Sequence, residues 1–385
     1  MRITMVIHSL SPGGADRVMV LLANGFLARK HHVTICTLGQ GTDDCIYPLD
    51  PGVELLPLGL NRLPRHKGRF WTLIHLLELI RGLRCHLRTT RPEAVIAFIT
   101  ETNIFTVLAT LGLGIPTIIS ERCDPAITPL RRLWKVARQL TYPLASALVV
   151  QSEEVRSWFS PMIRRRTRVI ANPVLPAPRS QPDPDRSGSR WRLIAVGRLV
   201  HQKGFDLLLE AFSRLAPAHP EWMLEIWGEG PLRGELEAQR DRLGLQNRVS
   251  FPGLTEDIHA RYAQADVFVL SSRYEGFPNA LCEAMANGLA VVATSCSGGA
   301  RDIIRPGVDG LLIPPDDAGA LERALGEMLT SPALRASLES QAKCVVERFG
   351  LDSVLDQWEA CMGPAAFRKP GPEPGAPSRG EDSRT

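Results

Sequence analysis

The chain has 385 residues, of which 44% are hydrophobic and 22% charged, and a net charge of +4. That length favours two cores over one, and the composition is ordinary for a soluble globular protein. Eight cysteines without a C-x-x-C or a Cys/His cluster exclude a zinc or disulfide framework and read as free cytosolic thiols. The start, Met1 to Ile7, reads as a strand rather than a secretory leader, and no stretch reaches the ~18–20 apolar residues a bilayer crossing needs. The small net charge hides an asymmetry. Residues 1–175 carry 22 Lys and Arg against 12 Asp and Glu, whereas the remainder carries 23 against 29. A basic half joined to an acidic half suggests that one half faces an anionic surface.

In chain order, the apolar runs 3–7, 33–38, 94–98, 117–120, 147–150 and 167–171 predict strands separated by Gly-rich or helical connections, the signature of a parallel α/β sheet. Between the second and third of these, 69–88 has the pattern of a helix. Leu73, Leu76, Ile80, Leu83 and Leu87 form one stripe, and Arg81, Arg84 and Arg88 cluster beside it. Asn172-Pro173-Val174 then leads into a Pro-rich polar stretch that cannot extend a helix or a central strand. The second half repeats the pattern, with strands at 193–196, 223–227, 249–251, 267–270, 290–293 and 310–313 and helices at 206–215 and 232–243. The expected division is therefore a first α/β domain over 1–175, a linker over 176–189 and a second domain over 190–343. A helix over 344–362 follows, and a Pro-, Gly-, Ser- and charge-rich tail over 363–385 reads as disordered.

The most informative segment is Glu275-Gly276-Phe277-Pro278-Asn279-Ala280-Leu281-Cys282-Glu283, which follows the buried strand run ending in Ser271-Ser272. Gly276 permits unusual backbone angles, and Pro278 suits a first helical turn because its missing N–H would be unpaired there. The amides of Asn279, Ala280 and Leu281 would then leave the helix N-terminus as a phosphate site, aided by the helix dipole. Glu283 leans back toward the same end, where it can accept hydrogen bonds from two adjacent ribose hydroxyls. Glu275, ahead of the helix, faces whatever hangs off the distal phosphate. Two further elements point the same way. Arg198 and Lys203, in the loop after the first strand of the second domain, can neutralise a diphosphate. Gly13 and Gly14 follow the first strand of the chain, where a backbone can approach phosphate closely, although the spacing is not a dinucleotide fingerprint.

These motifs resemble the retaining glycosyltransferases of family 4, which use nucleotide-sugar donors on a GT-B fold of two Rossmann-like parallel α/β domains facing a central cleft. The resemblance rests on the Glu275…Glu283 motif, Gly13-Gly14-Ala15-Asp16-Arg17-Val18, Val196-Gly197-Arg198-Leu199 with Lys203-Gly204, Ile226 to Leu232, and Val249 to Gly253, in the family's order over roughly residues 1–360. It implies retention of anomeric configuration and diphosphate contacts from Arg198 and Lys203. It also implies a last helix that crosses back to the first domain. Gly228, Pro231, Phe251 and Gly253, with Gly276, Phe277 and Pro278, would enclose the nucleobase and line the pocket. Glu275 is assigned to positioning the donor sugar or the incoming hydroxyl rather than to a covalent intermediate. Preorganised amides and the two cations would meet the charge that develops on the leaving diphosphate. That arrangement needs no metal or cofactor, and there is no D-x-D after a strand to hold one. Many relatives carry a His at a strand end of the first domain. This chain has Ser120-Glu121-Arg122-Cys123-Asp124-Pro125 there, so either Glu121 or Arg122 takes over the sugar contacts, or Glu121 only pairs with Arg122.

The first domain supplies the acceptor side. Residues 61–91 hold eight Lys and Arg against the single acid Glu78, and Arg131, Arg132, Lys135 and Arg138 surround Trp134. Such a surface can bind anionic headgroups or a lipid diphosphate. No nucleic-acid partner is expected, because the basic residues are not joined to a recognised motif. The Gly13-to-Arg17, Thr100-Glu101-Thr102-Asn103 and Ser120-Glu121-Arg122 combination is similar to bacterial enzymes that extend polyprenyl-diphosphate-linked glycans for exopolysaccharide or N-glycan assembly. The expectation is a cytoplasmic enzyme, peripheral on the inner face of the membrane, that moves a hexose or N-acetylhexosamine from a nucleotide-sugar, a UDP-sugar first. The competing readings are a nucleotide-sugar epimerase of the same fold, a non-catalytic nucleotide-sugar sensor, and a transferase with a soluble acceptor.

Overall fold

The computed structural model describes residues 1–11, 13–39, 47–59, 69–122, 125, 130–178, 191–296 and 299–363. Among them are two parallel sheets. The first comprises β1 (Arg2–Ile7), β2 (His32–Thr37), β3 (Glu54–Pro57), β4 (Ala94–Phe98), β5 (Thr117–Ser120), β6 (Ala147–Val150) and β7 (Thr167–Val169) in the order 3-2-1-4-5-6-7. The second comprises β8 (Trp191–Val196), β9 (Trp222–Trp227), β10 (Val249–Gly253), β11 (Val267–Leu270), β12 (Ala290–Thr294) and β13 (Leu311–Ile313) in the order 10-9-8-11-12-13. Ile3 lies opposite Ala94, and Leu193 opposite Val267. The central strands are buried end to end because helices cover both faces, which is why they read as unbroken apolar runs. The sequence pattern missed β3. It is a short, half-exposed edge strand ending in Pro57, a residue tolerated only where no partner needs its N–H.

Both sheets reverse their strand order beside the first strand, between β1 and β4 and between β8 and β11. The loops leaving β1 and β8 open at those switch points, where α/β sheets bind ligands. One holds Gly13 and Gly14, the other Arg198 and Lys203.

The chain's end ties the two sheets together. The single helix expected over 344–362 is two, Cys344–Phe349 and Leu351–Met362, broken at Gly350, whose backbone is extended (φ −60°, ψ 153°). The first packs in the second domain through Val345. The second crosses to the first domain, burying Val354, Leu355 and Trp358 in its core. There Gly25 admits the helix at close range, since a Cβ would stand 2.7 Å from Leu355 Cδ1. Arg29 clamps the same helix through Asp352, Asp356 and Glu359 at 3.2, 2.6 and 3.1 Å. Of the expected linker, residues from 179 on lie outside the described residues, as does the tail from 364. No helix among the described residues is long and apolar enough to cross a membrane.

Candidate active site

At the end of β11 the chain passes Ser271 and Ser272 and enters the helix Asn279–Ala286. Pro278 sits at the cap position, not in the first turn, and Asn279 is the first helical residue. The local turn also corrects the expectation of three free amides. The Asn279 N–H donates to Phe277 O at 2.9 Å and the Leu281 N–H to Pro278 O at 3.1 Å. Among the described residues only the Ala280 N–H of the three has no hydrogen-bond partner.

Glu275 is 5% exposed, so its charge must be met inside the protein. Its Oε1 accepts from Lys203 Nζ and from Ser272 Oγ, each at 2.6 Å, and its Oε2 has no partner among the described residues. Lys203 reaches it from the loop after β8, passing so close to Gly197 that a Cβ there would stand 3.0 Å from Lys203 Cε. Gly204 ends this loop at φ +64°, where a Cβ would fall 2.1 Å from Ser271 O; no other residue fits. Arg273 anchors the loop from below through Asp206 at 2.8 and 2.7 Å, Asp316 at 2.7 Å and the His201 carbonyl at 2.8 Å. Burial alone would raise the Asp206 pKa, but the Arg273 guanidinium outweighs it and holds the carboxyl below its usual value.

Glu283 comes one turn later. Its Oε1 is bound by Arg17, from the first turn of the helix Gly14–Ala28 in the other domain. Tyr262, fully buried, holds its hydroxyl 3.4 Å from both Glu283 Oε2 and the Ala280 carbonyl. Burial first, and then the neighbouring Glu283 charge, raise the Tyr262 pKa well above normal, so the phenol stays a donor. Gly14 completes the arrangement: a Cβ on it would stand 3.4 Å from Asn279 Nδ2. The structure thus brings Gly14, Asn279, Glu283 and Arg17 together across the seam between the domains.

Beside Glu283 lies a cleft of about 400 Å³, in the range that holds small-molecule ligands. It opens at the C-terminal ends of β8, β9 and β10, and is lined by Arg198, Trp227, Gly228, Glu229, Gly253 and Glu283, with Leu254, Thr255 and Ile258 closing it. Arg198 is exposed there. Five expected pocket residues lie outside this lining, among them Gly276 and Pro278 in the turn ahead of the helix. Phe251 is part of the second domain's core, Phe277 packs edge-on against Phe349, and Pro231 is exposed outside the lining. The strand end that carries Phe251 does reach the cleft at Gly253, but the Phe251 and Phe277 side chains turn inward because they gain more from burial.

In the first domain, Glu121 is 3% exposed and turned into the core. It accepts from Thr100 Oγ1 at 2.9 and 3.0 Å and from the Tyr142 hydroxyl. Burial pushes its pKa up, against the pull of those two bonds. Arg122 is not its partner; the guanidinium turns the other way, onto the Phe98 ring at 3.8 Å, and donates to Asn172 Oδ1 at 2.7 Å.

The basic surface is likewise divided. Arg81 and Arg88 are exposed on the helix Arg69–Thr90, but Arg84 spends its guanidinium on the carbonyls of Ala109 and Leu111 at 2.8 and 2.7 Å, capping the neighbouring helix. On the helix Arg132–Thr141, Arg132 and Lys135 are exposed together with the preceding Arg131. Trp134 instead packs on Phe105, and Arg138 is buried over Trp158. The same helix exposes Leu133, Val136 and Leu140, which the sequence reading passed over. Their i, i+3, i+7 spacing was the available signal. Arg17 was also missed as a site residue. A cation in the first helical turn works against the dipole, and that misplacement points to another use.

Two family models match the chain: a glycosyl transferase 4-like domain over residues 13–175 and glycosyl transferases group 1 over residues 178–345. A Campylobacter jejuni GalNAc-α-(1→4)-GalNAc-α-(1→3)-diNAcBac-PP-undecaprenol α-1,4-N-acetyl-D-galactosaminyltransferase is 31% identical over 93% of this chain and 97% of its own length. Among solved structures, the sucrose-phosphate synthase from Thermosynechococcus elongatus superposes with a TM-score of 0.79 at 20% identity, covering 93% of this chain and 97% of that one. Anabaena HepE in complex with UDP and glucose gives 0.75 at 21% identity, covering 94% and 98%. With two doubly wound domains joined by the Arg17–Glu283 contact beside this cleft, the chain belongs to the family 4-type glycosyltransferases of the GT-B fold.

Proposed function

We propose that the enzyme moves a hexose or N-acetylhexosamine, with retention and without a metal, from a UDP-sugar to a polyprenyl-diphosphate-linked glycan at the inner face of the membrane. The observation that carries this reading is the pair of acids on either side of one helix start: Glu275, held by Lys203 and Ser272, and Glu283, at the edge of the nucleotide-sized cleft. Glu283 takes the ribose hydroxyls once Arg17 yields. The Ala280 N–H, Arg198 and Lys203 meet the charge that grows on the departing diphosphate. Glu275, with Oε1 occupied, offers Oε2 to a hydroxyl of the transferred sugar. The base lies along Gly228, Gly253 and Leu254.

Two comparisons support the substrates chosen. The name of the Campylobacter jejuni relative gives it a diphospho-undecaprenol-linked glycan acceptor, and the Anabaena neighbour holds UDP. For the membrane, the helix Arg132–Thr141 shows solvent a stripe of Leu133, Val136 and Leu140, 57–69% exposed, next to Arg131, Arg132 and Lys135. Apolar side chains beside cations are what an interfacial helix requires, and Arg81 and Arg88 extend the basic surface.

The test is to screen UDP- and GDP-sugars with the purified protein and a synthetic polyprenyl-diphosphate glycan, reading products by mass. A lipid-linked product one sugar heavier is expected. An epimerised nucleotide-sugar, or donor binding without turnover in any combination, would overturn the reading. Transfer to a soluble glycan with no preference for the lipid-linked one would move the enzyme to a different acceptor class.

A further inference from the structure

A relay of three side chains runs from the first domain to the helix start in the second. Arg122 Nη1 donates to Asn172 Oδ1 at 2.7 Å, and Asn172 Nδ2 donates to Asn279 Oδ1 at 2.9 Å. Its direction is fixed by chemistry. A guanidinium has no acceptor, so the atom of Asn172 that faces it must be the oxygen. Asn172 then turns its NH2 to Asn279, which must answer with its own oxygen. Asn279 is left with its NH2 pointing toward Gly14, where a Cβ would be 3.4 Å away. Arg122 is an expensive way to achieve this. Its guanidinium is stacked on Phe98, Nε and Nη2 have no hydrogen-bond partner among the described residues, and burial lowers its pKa to about 9. A buried cation in that condition costs stability, so stability does not account for it. A residue that could also accept would leave the relay free to run either way.

We propose that Arg122 and Asn172 are positioning residues that lock the Asn279 amide with its donors facing the gap between the Gly14 loop and the helix start, ready for an anionic oxygen of the donor diphosphate. The proposal rests on the donor-site reading above.

The discriminating variant is Asn172→Asp. It keeps the bond from Arg122 and supplies a counter-charge, but offers Asn279 only acceptors, so Asn279 must turn its oxygen toward the diphosphate. Thermal stability should hold or rise while affinity for UDP or GDP, whichever the wild type binds, falls about 10- to 100-fold by calorimetry. Asn279→Ala should lose a similar factor, and adding Asn172→Asp to it should cost nothing more. Unchanged affinity in Asn172→Asp, or a full further loss in the double variant, overturns the relay alone. A wild type that binds neither nucleotide overturns the donor site and the relay together. Without any variant beyond Asn279→Ala for assignment, the Asn279 side-chain amide resonances of the wild-type protein should shift when the nucleotide is added; unmoved resonances overturn the relay.

Discussion

Glu121 and Glu275 occupy similar places, just beyond the C-terminal ends of central strands in two sheets of like topology, and both are almost wholly buried, at 3% and 5% exposed. Their surroundings set them apart. Among the described residues the Glu121 carboxyl takes hydrogen bonds from hydroxyls alone, those of Thr100 and Tyr142, and burial raises its pKa against their pull and that of the Arg138 charge. Glu275 meets the Lys203 cation and a serine on one oxygen and keeps the other unshared among the described residues. Burial by itself therefore does not mark a working acid. On the function proposed above, a fixed counter-charge with spare acceptor capacity does, because it holds the group in place and leaves it an oxygen to bind with.

Replacing each acid in turn tests this contrast most severely. Glu275→Gln should cut turnover on the order of 100-fold, the scale of losing one preorganised electrostatic contact. Glu121→Gln should keep turnover close to wild type and cost about 1 kcal/mol of stability, seen in chemical denaturation. Equal losses of turnover would erase the distinction. Next in size, Glu283→Ala should raise the donor KM about 10- to 100-fold with little change in kcat, since it removes two hydrogen bonds to a charged acceptor. A fall in kcat alone would put Glu283 with the chemistry instead.

A third test sets the two basic helices against each other. Leu133, Val136 and Leu140 changed together to Ser should abolish sedimentation with anionic liposomes, because a buried apolar side chain contributes about 1.5–3 kcal/mol. Changing Arg81 and Arg88 to Glu should weaken it less, at about 1 kcal/mol per charge removed. Arg84 is left out, because its role as a helix cap would confuse folding with binding. Undiminished sedimentation of the Ser variant would remove this helix from the membrane reading. The smallest effect concerns pH. The Asp206 carboxyl is held below its usual pKa by Arg273, so its contribution to stability is present above the unfolded value of about 4 and is lost as pH falls through the lower folded value. In Arg273→Gln that acid-side loss should flatten in pH-dependent melting curves; an unchanged slope would mean the pair contributes nothing.

Much of this protein is written locally. Apolar runs of strand length separated by glycine-rich or helical segments determined the two parallel sheets, since strands buried on both faces have no freedom to alternate. The spacing of Glu275 and Glu283 around Pro278 determined a strand, a turn and a helix with one acid on either side of the helix start. Tertiary structure decided which way side chains turn. Phe251 and Phe277 went to the core, Arg84 to a helix end and Glu121 inward, each following burial or a carbonyl that lies far away in sequence. It alone joined Arg17 to Glu283 and Asn172 to Asn279, pairs separated by 266 and 107 residues. Hydrophobic periodicity is a property of neighbours along the chain, whereas a hydrogen bond across a domain seam depends on how two finished domains dock, and no local pattern carries that information.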